Sequence, residues 1–405
     1  MQQERNSSPP NLSVAVVTCG SYEAEIVRTA VRRAVDSIGG MAAFVSKGEK
    51  ILLKPNLLVP RHPDDAITTH PEVVRAVIRL VKAAGGIPVV GDSPAGRSTE
   101  RILRHLAEKT GMAEICRDED VPFVLFTEGR DVAFPDGRVA KSFNLTTALD
   151  DVDGIISLAK LKTHSFTRFT GGVKNLFGLV HGLKKAEYHM RMKNAESFSE
   201  MLVDLAEYVR PRLTLMDAVV GMDGDGPSAG RPKHIGMILA SSNVHAIDVA
   251  ALEVVCENPE NVPTTRVAIR RGLLPSEGSS GVKMLWDRSW NLRVNDFKMP
   301  PKVRMFGPIP RILGSFAAEG FTRKPIFISQ ACTRCGSCVE VCPAEALSSD
   351  GKISIDRGAC IRCYCCQEIC QQKAVVLRRM PLRSWGRSIG AMLARSLPGQ
   401  RVSNP

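Results

Sequence analysis

Eight cysteines near the carboxyl end of the chain follow two copies of one spacing. The first copy runs from Cys332 to Cys342 and the second from Cys360 to Cys370, with intervals of two, two and three residues between the cysteines of each. In bacterial two-cluster proteins this spacing binds two [4Fe–4S] clusters, because three close thiolates of each copy hold one cluster and the fourth reaches the other. The predicted ligands are Cys332, Cys335, Cys338 and Cys370 for the first cluster, and Cys360, Cys363, Cys366 and Cys342 for the second.

Two positions depart from the usual form of this motif. Pro343 follows the first copy, whereas Gln371 stands at the equivalent position of the second, which removes a turn-fixing residue but no ligand. Cys365 is an extra thiol beside Cys366, and we interpret it as a non-ligand because its use would break the even spacing. Zinc is the alternative for clustered cysteines, but structural zinc usually uses two cysteine pairs separated by a loop. Two adjacent clusters also favour electron transfer over a purely structural role.

Lysine, asparagine and histidine side chains recur just after short apolar runs in the first 180 residues. Four lysines lie at such places, and a Gly171-Gly172 pair precedes the last of them. Ammonium groups and backbone N–H groups together bind phosphate or carboxylate, so the pattern predicts an anion site, against the alternative of four separate solvated lysines. The candidate substrate-binding residues are Lys54, Asn56, His70, Asp92, Lys160, Lys174 and Asn175.

His164 and Lys162 are the candidate catalytic residues. An unperturbed imidazole has a pKa of roughly 6.5, which suits proton transfer at neutral pH. The alternative is that His164 is structural, as single histidines often are. Asp223 and Asp225 are further candidate acids or ligands for a hard metal ion, but their glycine- and proline-containing stretch is equally typical of a turn.

The elements that must position these residues alternate between strand and helix. Near-continuous apolar strands separated by helices predict an α/β domain with a mostly parallel sheet covered by helices on both faces. Ligands of such sheets bind beyond the carboxyl ends of the strands, which is where the polar residues fall. The predicted strands are 13–18, 50–53, 87–90, 152–158, 213–216 and 235–240, and the predicted helices are 23–37, 71–84, 99–109, 197–209 and 244–255.

The net charge of +12 is distributed unevenly and helps to divide the chain. Residues 1–283 carry only +1, while 284–325 carry +5 and 378–405 carry +6, on either side of a neutral cysteine-containing segment. A nucleic-acid-binding fold would carry a basic face on its main domain, so nucleic acid is not expected as a partner. The predicted organisation is a disordered N-terminus at 1–10, an α/β domain at 11–283, a basic proline-containing connection at 284–325, an α+β bacterial-ferredoxin-like domain at 326–377 and a basic amphipathic tail at 378–405.

Six segments of the first domain resemble the prokaryotic family called domain of unknown function 362. The resemblance spans about residues 50–255, and the family is often fused to a ferredoxin-like module, as this chain is. It implies no agreed reaction and no agreed catalytic residues. The segments are 53–56 (Leu-Lys-Pro-Asn), 68–71 (Thr-Thr-His-Pro), 91–94 (Gly-Asp-Ser-Pro), 160–164 (Lys-Leu-Lys-Thr-His), 171–178 (Gly-Gly-Val-Lys-Asn-Leu-Phe-Gly) and 221–227 with Gly230.

These patterns predict an iron–sulfur oxidoreductase that passes electrons between two [4Fe–4S] clusters and an anionic small molecule at the strand ends. The alternatives are an adaptor whose first domain docks a redox partner protein, and a protein that delivers or senses clusters. No Gly-x-Gly-x-x-Gly fingerprint follows a strand, so a dinucleotide site is not predicted. The chain has neither a membrane span nor a signal peptide pattern, so we expect a cytoplasmic protein. Two alternatives stay open for the basic tail: it contacts the inner face of the membrane, or it is a helix packed on the module or a disordered end.

Overall fold

The computed structural model describes residues 11–192, 194–276, 278–287, 293–301 and 323–378. The predicted disordered N-terminus, most of the basic connection and the tail beyond residue 378 lie outside the described residues. Within the described ranges, no helix is long and apolar enough to cross a bilayer.

A mostly parallel sheet forms the centre of the first domain, which confirms the predicted fold class. Its strands lie in the order β10-β1-β9-β8-β6-β2-β3, with β7 beside β6; β7 and β9 run against the others, and β4 pairs only with β5 in a separate hairpin. The strands are β1 Ser13–Thr18, β2 Lys50–Lys54, β3 Ile87–Val90, β4 Gly129–Ala133, β5 Ser142–Thr146, β6 Gly154–His164, β7 Arg168–Phe169, β8 Leu213–Asp223, β9 Arg231–Ser241 and β10 Lys283–Trp286.

Helices cover both faces of this sheet, because successive apolar side chains of each buried strand point to opposite faces. Leu53 of β2 packs with the helices α1 to α4, whereas Leu52 packs on the other face with α7. The helices are α1 Ala24–Asp36, α2 Pro71–Ala83, α3 Glu100–Lys109, α4 Met112–Asp118, α5 Gly171–Asn175, α6 Lys184–Arg191, α7 Ala195–Val209, α8 Val244–Val254 and α9 Pro263–Arg270. Short 3₁₀ turns lie at 41–43, 63–65, 147–149, 176–179, 259–261 and 278–281.

Local sequence explains where the helices begin. In α2, Pro71 occupies the first turn, and the side chain of His70 accepts a hydrogen bond from the backbone N–H of Glu72. Proline is favoured there because its missing N–H would have no partner inside the helix anyway. His70 is thus a helix cap in addition to its predicted role in binding.

Two strands extend well beyond their predicted ends. The apolar pattern stops at Leu158, but β6 continues to His164, and β8 continues from the predicted end at Met216 to Asp223. The prediction failed because the polar side chains in the extension are buried and partnered, so they no longer mark the edge of the core. The register shifts between Lys160 and Lys162, which lets these neighbouring lysines face different surroundings.

The cysteine module is a small α+β unit, as predicted. It contains β11 Lys324–Phe327, α10 Ser337–Glu340, β12 Leu347–Asp350, β13 Lys352–Ile355, α11 Cys365–Ile369 and β14 Val375–Arg378. β11 pairs antiparallel with β14, and β12 pairs antiparallel with β13. The boundaries drawn from the sequence at 283 and 326 fall inside β10 and β11, respectively.

Candidate functional site

Adjacent parallel strands bring the predicted lysines to one edge of the sheet. β6, β2 and β3 are neighbours in that order, so their carboxyl ends lie side by side. Beyond them lies a cavity, which we call the lysine pocket, covered by α6 and by the cysteine module. Its polar lining includes Asn56, Asp92, Lys162, Lys174, Lys185 and Glu368.

Lys54 and Asp92 form a buried ion pair next to this cavity. Lys54 Nζ lies 2.7 Å from Asp92 Oδ1 and donates to the carbonyl of Pro55 at 2.8 Å. Gly178 packs directly against the pair, and a Cβ there would lie 2.2 Å from Asp92 Oδ1, so only glycine fits at this position. Desolvation lowers the pKa of Lys54, while the neighbouring carboxylate of Asp92 opposes that effect. This lysine therefore has its counter-charge supplied by the protein.

Lys162 has no such counter-charge within the described part of the chain. Its ammonium group donates to Asn56 Oδ1 at 2.8 Å and to the carbonyl of Ile67 at 2.6 Å, and both acceptors are neutral. Desolvation and the neighbouring ammonium group of Lys174 lower its pKa well below the ordinary value. Because an ammonium group has three N–H donors, one donor is left over from these two bonds.

Lys174 has no hydrogen-bond acceptor among the residues that the structure describes, although only 8% of its surface is exposed. It lies 5.8 Å from the ring centre of Phe177 and faces the cavity. Helix α5, which carries it, is held at its first turn by the buried carboxylate of Asp248, which accepts from the backbone N–H groups of Gly172 at 2.5 Å and Val173 at 3.2 Å. Asp248 therefore fixes the position of Lys174. Asn175, on the same helix, accepts a hydrogen bond from Asn56 at 3.1 Å.

His164 lies behind the cavity wall, not in it. Its Nδ1 accepts from the backbone N–H groups of Phe166 and Thr167, so any proton on a neutral ring sits on Nε2. Nε2 lies 2.9 Å from Glu368 Oε1, a residue of the cysteine module that does line the cavity. Burial lowers the pKa of His164 to about 4. Burial alone would raise the pKa of Glu368, but His164 and Lys174 outweigh burial, so its pKa is lowered and the carboxylate is ionised.

Three further residues line the pocket: Lys185 and Glu368, which the sequence did not indicate, and His189, which with His181 flanks a basic loop and was a candidate lid residue. Lys185 donates to Ser93 Oγ at 2.5 Å and to the carbonyl of Pro94 at 3.1 Å. His189 stacks on Phe198, with ring centres 4.1 Å apart. Glu368 arrives from the other domain. A signal for Lys185 was its helical spacing of four residues from His189 on α6, whereas nothing in the sequence links Glu368 to the strand ends.

Two predicted site residues lie in a separate cluster, in which Lys160 is buried and His70 is half-buried. Lys160 Nζ lies 2.8 Å from Asp217 Oδ2 and also donates to the Tyr22 hydroxyl at 2.8 Å. The Tyr22 hydroxyl donates to Asp217 Oδ1, and its ring stacks on His70 with centres 3.7 Å apart. We call this group the Lys160 cluster. Every polar tip of its lysine, tyrosine and aspartate has a partner, and none of its residues lines the lysine pocket.

Charged and polar contacts fasten the cysteine module over the strand ends. Arg323 makes a two-pronged pair with the carboxylate of Asp225, at 2.6 and 2.8 Å. The side-chain amide of Gln367 donates to the backbone carbonyl of Asp225 at 3.1 Å, and the backbone carbonyl of Gln367 accepts from the Ser228 hydroxyl at 3.1 Å. The carboxylate of Asp225 thus serves the joint between the domains. The alternative prediction, that Asp225 is a turn residue, agrees with its position in the connection between β8 and β9.

Four of the predicted cluster ligands surround a single cavity in the module. Cys332, Cys335, Cys338 and Cys370 all line it. Burial and the thiols of Cys335, Cys370 and Cys332 raise the pKa of Cys338 to about 11, which places these four sulfur atoms near one another. For Cys366, burial and then Cys363, Cys360, Cys338 and Cys342 raise the pKa well above its usual range. The donor set of clustered cysteines therefore fits iron–sulfur ligation.

The backbone repeats itself across the two halves of the module at an offset of 28 residues. Left-handed conformations occur in pairs: Arg334 with Arg362, Gly336 with Tyr364, and Glu345 with Lys373. The fourth cysteine of each copy also accepts the same bond, since Cys342 Sγ accepts from Ala346 N and Cys370 Sγ from Ala374 N, each at 3.3 Å. Such N–H···S bonds tune the potentials of iron–sulfur clusters. Tyr364 has the left-handed backbone conformation that Gly336 has at the equivalent position of the first half. The Tyr364 hydroxyl donates to the Arg323 carbonyl at 2.8 Å, at the joint between the domains.

Comparison with known proteins supports both halves of this description. The family model "Domain of unknown function (DUF362)" matches residues 51–253, and the model "4Fe-4S dicluster domain" matches residues 324–371. The chain is 38% identical over 325 residues to "Thylakoid-associated protein sll1697" of Synechocystis sp., which covers 78% of this chain and 98% of that protein. The lactate racemase apoprotein from Thermoanaerobacterium thermosaccharolyticum matches with a TM-score of 0.40 and 15% identity, over 59% of this chain and 56% of that chain. That structural likeness is too weak to indicate a shared function.

Proposed function

Because the chain belongs to the DUF362 family and carries a 4Fe-4S dicluster domain, we propose that this iron–sulfur protein is an oxidoreductase. In this proposal the lysine pocket holds an anionic substrate, and single electrons pass between that substrate and the cysteine module. Iron–sulfur clusters supply one-electron transfer when bound. The residues of the two domains bind the substrate, move protons and exclude water.

One observation carries the proposal: the two domains share the wall of the pocket. Val341, Cys365 and Glu368 of the module line the same cavity as Lys162 and Lys174 of the first domain. A substrate held by the lysines would therefore touch the module directly. Lys162 and Lys174 would bind its anionic group, and the ionised Glu368, which lies 2.9 Å from His164 Nε2, would accept a hydrogen bond from a donor group of the substrate.

We further propose that the module holds two [4Fe–4S] clusters on the two predicted cysteine sets. The test is anaerobic reconstitution followed by iron and acid-labile sulfide analysis. Wild-type protein should contain about eight of each, as two four-iron clusters require. Cys366→Ser should lose about half of that content or more, whereas Cys365→Ser should keep all of it. Equal loss in both variants would contradict the ligand assignment.

The two cysteine sets differ in solvent exposure, which supports a proposal for which set contacts the redox partner and which set contacts the pocket. Cys335 of the first set is exposed, whereas Cys363 and Cys366 of the second set are buried and Cys363 packs against Ala186 of α6. In our proposal a redox partner protein therefore approaches the first set, and the second set serves the pocket. A purely adaptor function would need the exposed cysteine set for contact with the partner protein, but it would assign no function to the lysine pocket.

The experiment that tests the oxidoreductase role follows reoxidation of the reduced protein. Protein reduced with dithionite and freed of excess reductant is mixed with a panel of small organic anions, and cluster absorbance is followed. We expect some member of the panel to reoxidise wild-type protein at least tenfold faster than the Lys174→Met variant. Ferricyanide, which needs no binding site, should reoxidise both equally. If every compound reoxidises the wild-type protein and the Lys174→Met variant at the same rate, the pocket is not catalytic, and the adaptor function replaces the oxidoreductase function.

We propose a peripheral location at a membrane surface. Its support is the name of the thylakoid-associated relative and the six arginines without acids at 378–405, a tail that lies outside the described residues except for Arg378. Basic segments of this kind are attracted to anionic lipid. Co-sedimentation with anionic liposomes should be stronger for the full chain than for a version ending at Leu377, and equal pelleting would remove the idea.

A further inference from the structure

Several buried polar groups in the lysine pocket lack partners among the described residues and point to a ligand. The buried Thr170 Oγ1 and His189 Nδ1 have no hydrogen-bond partner in the described part of the chain. The Lys174 ammonium group faces the cavity and has no acceptor in that part either. All three residues line the cavity and are at least nine-tenths buried. A buried polar group without a partner costs roughly 1–3 kcal/mol, so such groups are rarely retained without a role.

The charges in the same pocket do not balance. Three lysines, Lys162, Lys174 and Lys185, line the cavity, and the buried Lys54 lies next to it; the carboxylates are those of Asp92 and Glu368. Asp92 is committed to Lys54, and Glu368 lies between His164 and Lys174. Lys162 and Lys185 donate only to neutral oxygens. Two ammonium groups therefore lack a counter-charge from the described residues, and a ligand with two negative charges would supply it.

Apart from Glu368, the module residues that line the pocket, Val341 and Cys365, are apolar. Ala186 of α6 packs with Val341, Cys363 and Cys365 of the module in one buried cluster, which we call the apolar patch. Cys363 is a proposed cluster ligand, and the other three residues line the pocket. The part of a ligand that lies against the module should therefore be apolar, while its charges lie against the lysines.

We propose that the lysine pocket binds a small organic dianion with an apolar body, its charged groups on Lys162, Lys174 and Lys185 and its apolar, electron-accepting part on the apolar patch. This inference rests on the proposed oxidoreductase function and names its substrate class. Dicarboxylates and phosphate monoesters share the required chemistry. The pocket orients the ligand, because Lys162 and Lys174 belong to the first domain whereas Val341 and Cys365 of the apolar patch belong to the module.

Binding should also take up a proton. Burial, opposed by Asp92 and reinforced by Lys54 and Lys174, lowers the pKa of Lys185 to about 7. Ser93 Oγ and the Pro94 carbonyl are its direct partners and carry no charge. A bound anion favours the ammonium form, so affinity should be greatest below pH 7 and fall up to about tenfold per unit as pH rises above it.

The test is calorimetric titration of the cluster-loaded protein at pH 7.5 with four probes. Phenylsuccinate and phenyl phosphate are dianions with an apolar body, succinate lacks the apolar body, and benzoate carries one charge. We expect phenylsuccinate or phenyl phosphate to bind at least tenfold more tightly than both succinate and benzoate. Which of the two binds better assigns the head group as carboxylate or phosphate. Benzoate or succinate binding as tightly as both of them would overturn the inference.

Matched variants localise the binding. Lys185→Met should weaken it at least tenfold, whereas Lys184→Met, the adjacent exposed lysine on α6, should leave it unchanged. Equal affinity in all three proteins would also overturn the inference, with retained cluster absorbance showing that each is folded. Lys185-dependent dianion binding without any electron transfer would contradict only the oxidoreductase function. Lys174-dependent reoxidation by a singly charged anion, without dianion binding, would contradict only the substrate class.

Discussion

Two buried lysine groups flank the end of strand β6, and they differ in how completely the protein satisfies them. In the Lys160 cluster, the ammonium group has a carboxylate and a hydroxyl at 2.8 Å. Two residues further along β6, Lys162 lines the lysine pocket, and Lys174 in the same pocket lacks an acceptor among the described residues. The same residue type on the same strand thus serves two purposes.

The difference teaches how to separate a structural lysine from a binding one. Desolvation lowers the pKa of Lys160 and of Lys174 alike, so burial alone does not distinguish them. What distinguishes them is the counter-charge. A lysine paired inside the fold contributes to folding, whereas a buried lysine without a pair costs stability that a ligand would restore.

The largest expected effect is on the Lys160 cluster. Asp217→Asn removes the counter-charge of Lys160, and breaking one side of a buried pair typically costs about 3–5 kcal/mol. Chemical denaturation under anaerobic conditions, followed by circular dichroism, measures this loss. The double variant Lys160→Met with Asp217→Leu should recover much of it, because no buried charge remains. A loss below about 1 kcal/mol in the single variant would show that the cluster is not structural.

A smaller effect should appear in the pH dependence of stability. The pKa of Lys185 is about 7 when folded and 10.5 in its ordinary state. Between these values the unfolded chain holds one more proton, so stability rises with pH, by about 2 kcal/mol from pH 7 to pH 9 for this group. Below pH 7 both states are protonated and the contribution is constant.

Lys185→Met should therefore flatten the stability profile between pH 7 and pH 9 relative to wild type. Denaturation curves at the two pH values measure the difference. Lys184→Met is the matched control, since its side chain is exposed, and it should keep the wild-type slope. Identical slopes in all three proteins would mean that Lys185 is not desolvated as the structure indicates.

The smallest effect on stability should come from Lys174→Met. This change removes a buried charge that has no protein partner in the described ranges and keeps most of the side-chain volume, so we expect a change within about 1 kcal/mol in either direction. The same denaturation assay measures it. A loss of about 3 kcal/mol would place Lys174 with Lys160 among the structural lysines and weaken the case for a ligand.

Much of the fold followed from the sequence, because strand and helix periodicity is local. The strand at 13–18 and the strand at 87–90 have the bounds predicted for them, and the family resemblance was confirmed. The strand ends were less accurate where polar residues are buried, as at Lys160 and Lys162. Lys54, Asn56, Asp92, Lys162, Lys174 and Asn175 do gather at one edge, since parallel strands end together.

The sequence by itself determined the cysteine spacing, and with it the iron–sulfur character of the module, because cluster ligation depends on intervals of two and three residues along one short loop. It also placed lysines at strand ends. Only the tertiary structure decided which of those lysines are paired, because Asp217 and Asp92 lie 57 and 38 residues from the lysines they contact. The tertiary structure likewise brought Glu368 beside His164 from the other domain, since a shared wall depends on how two independently patterned segments dock.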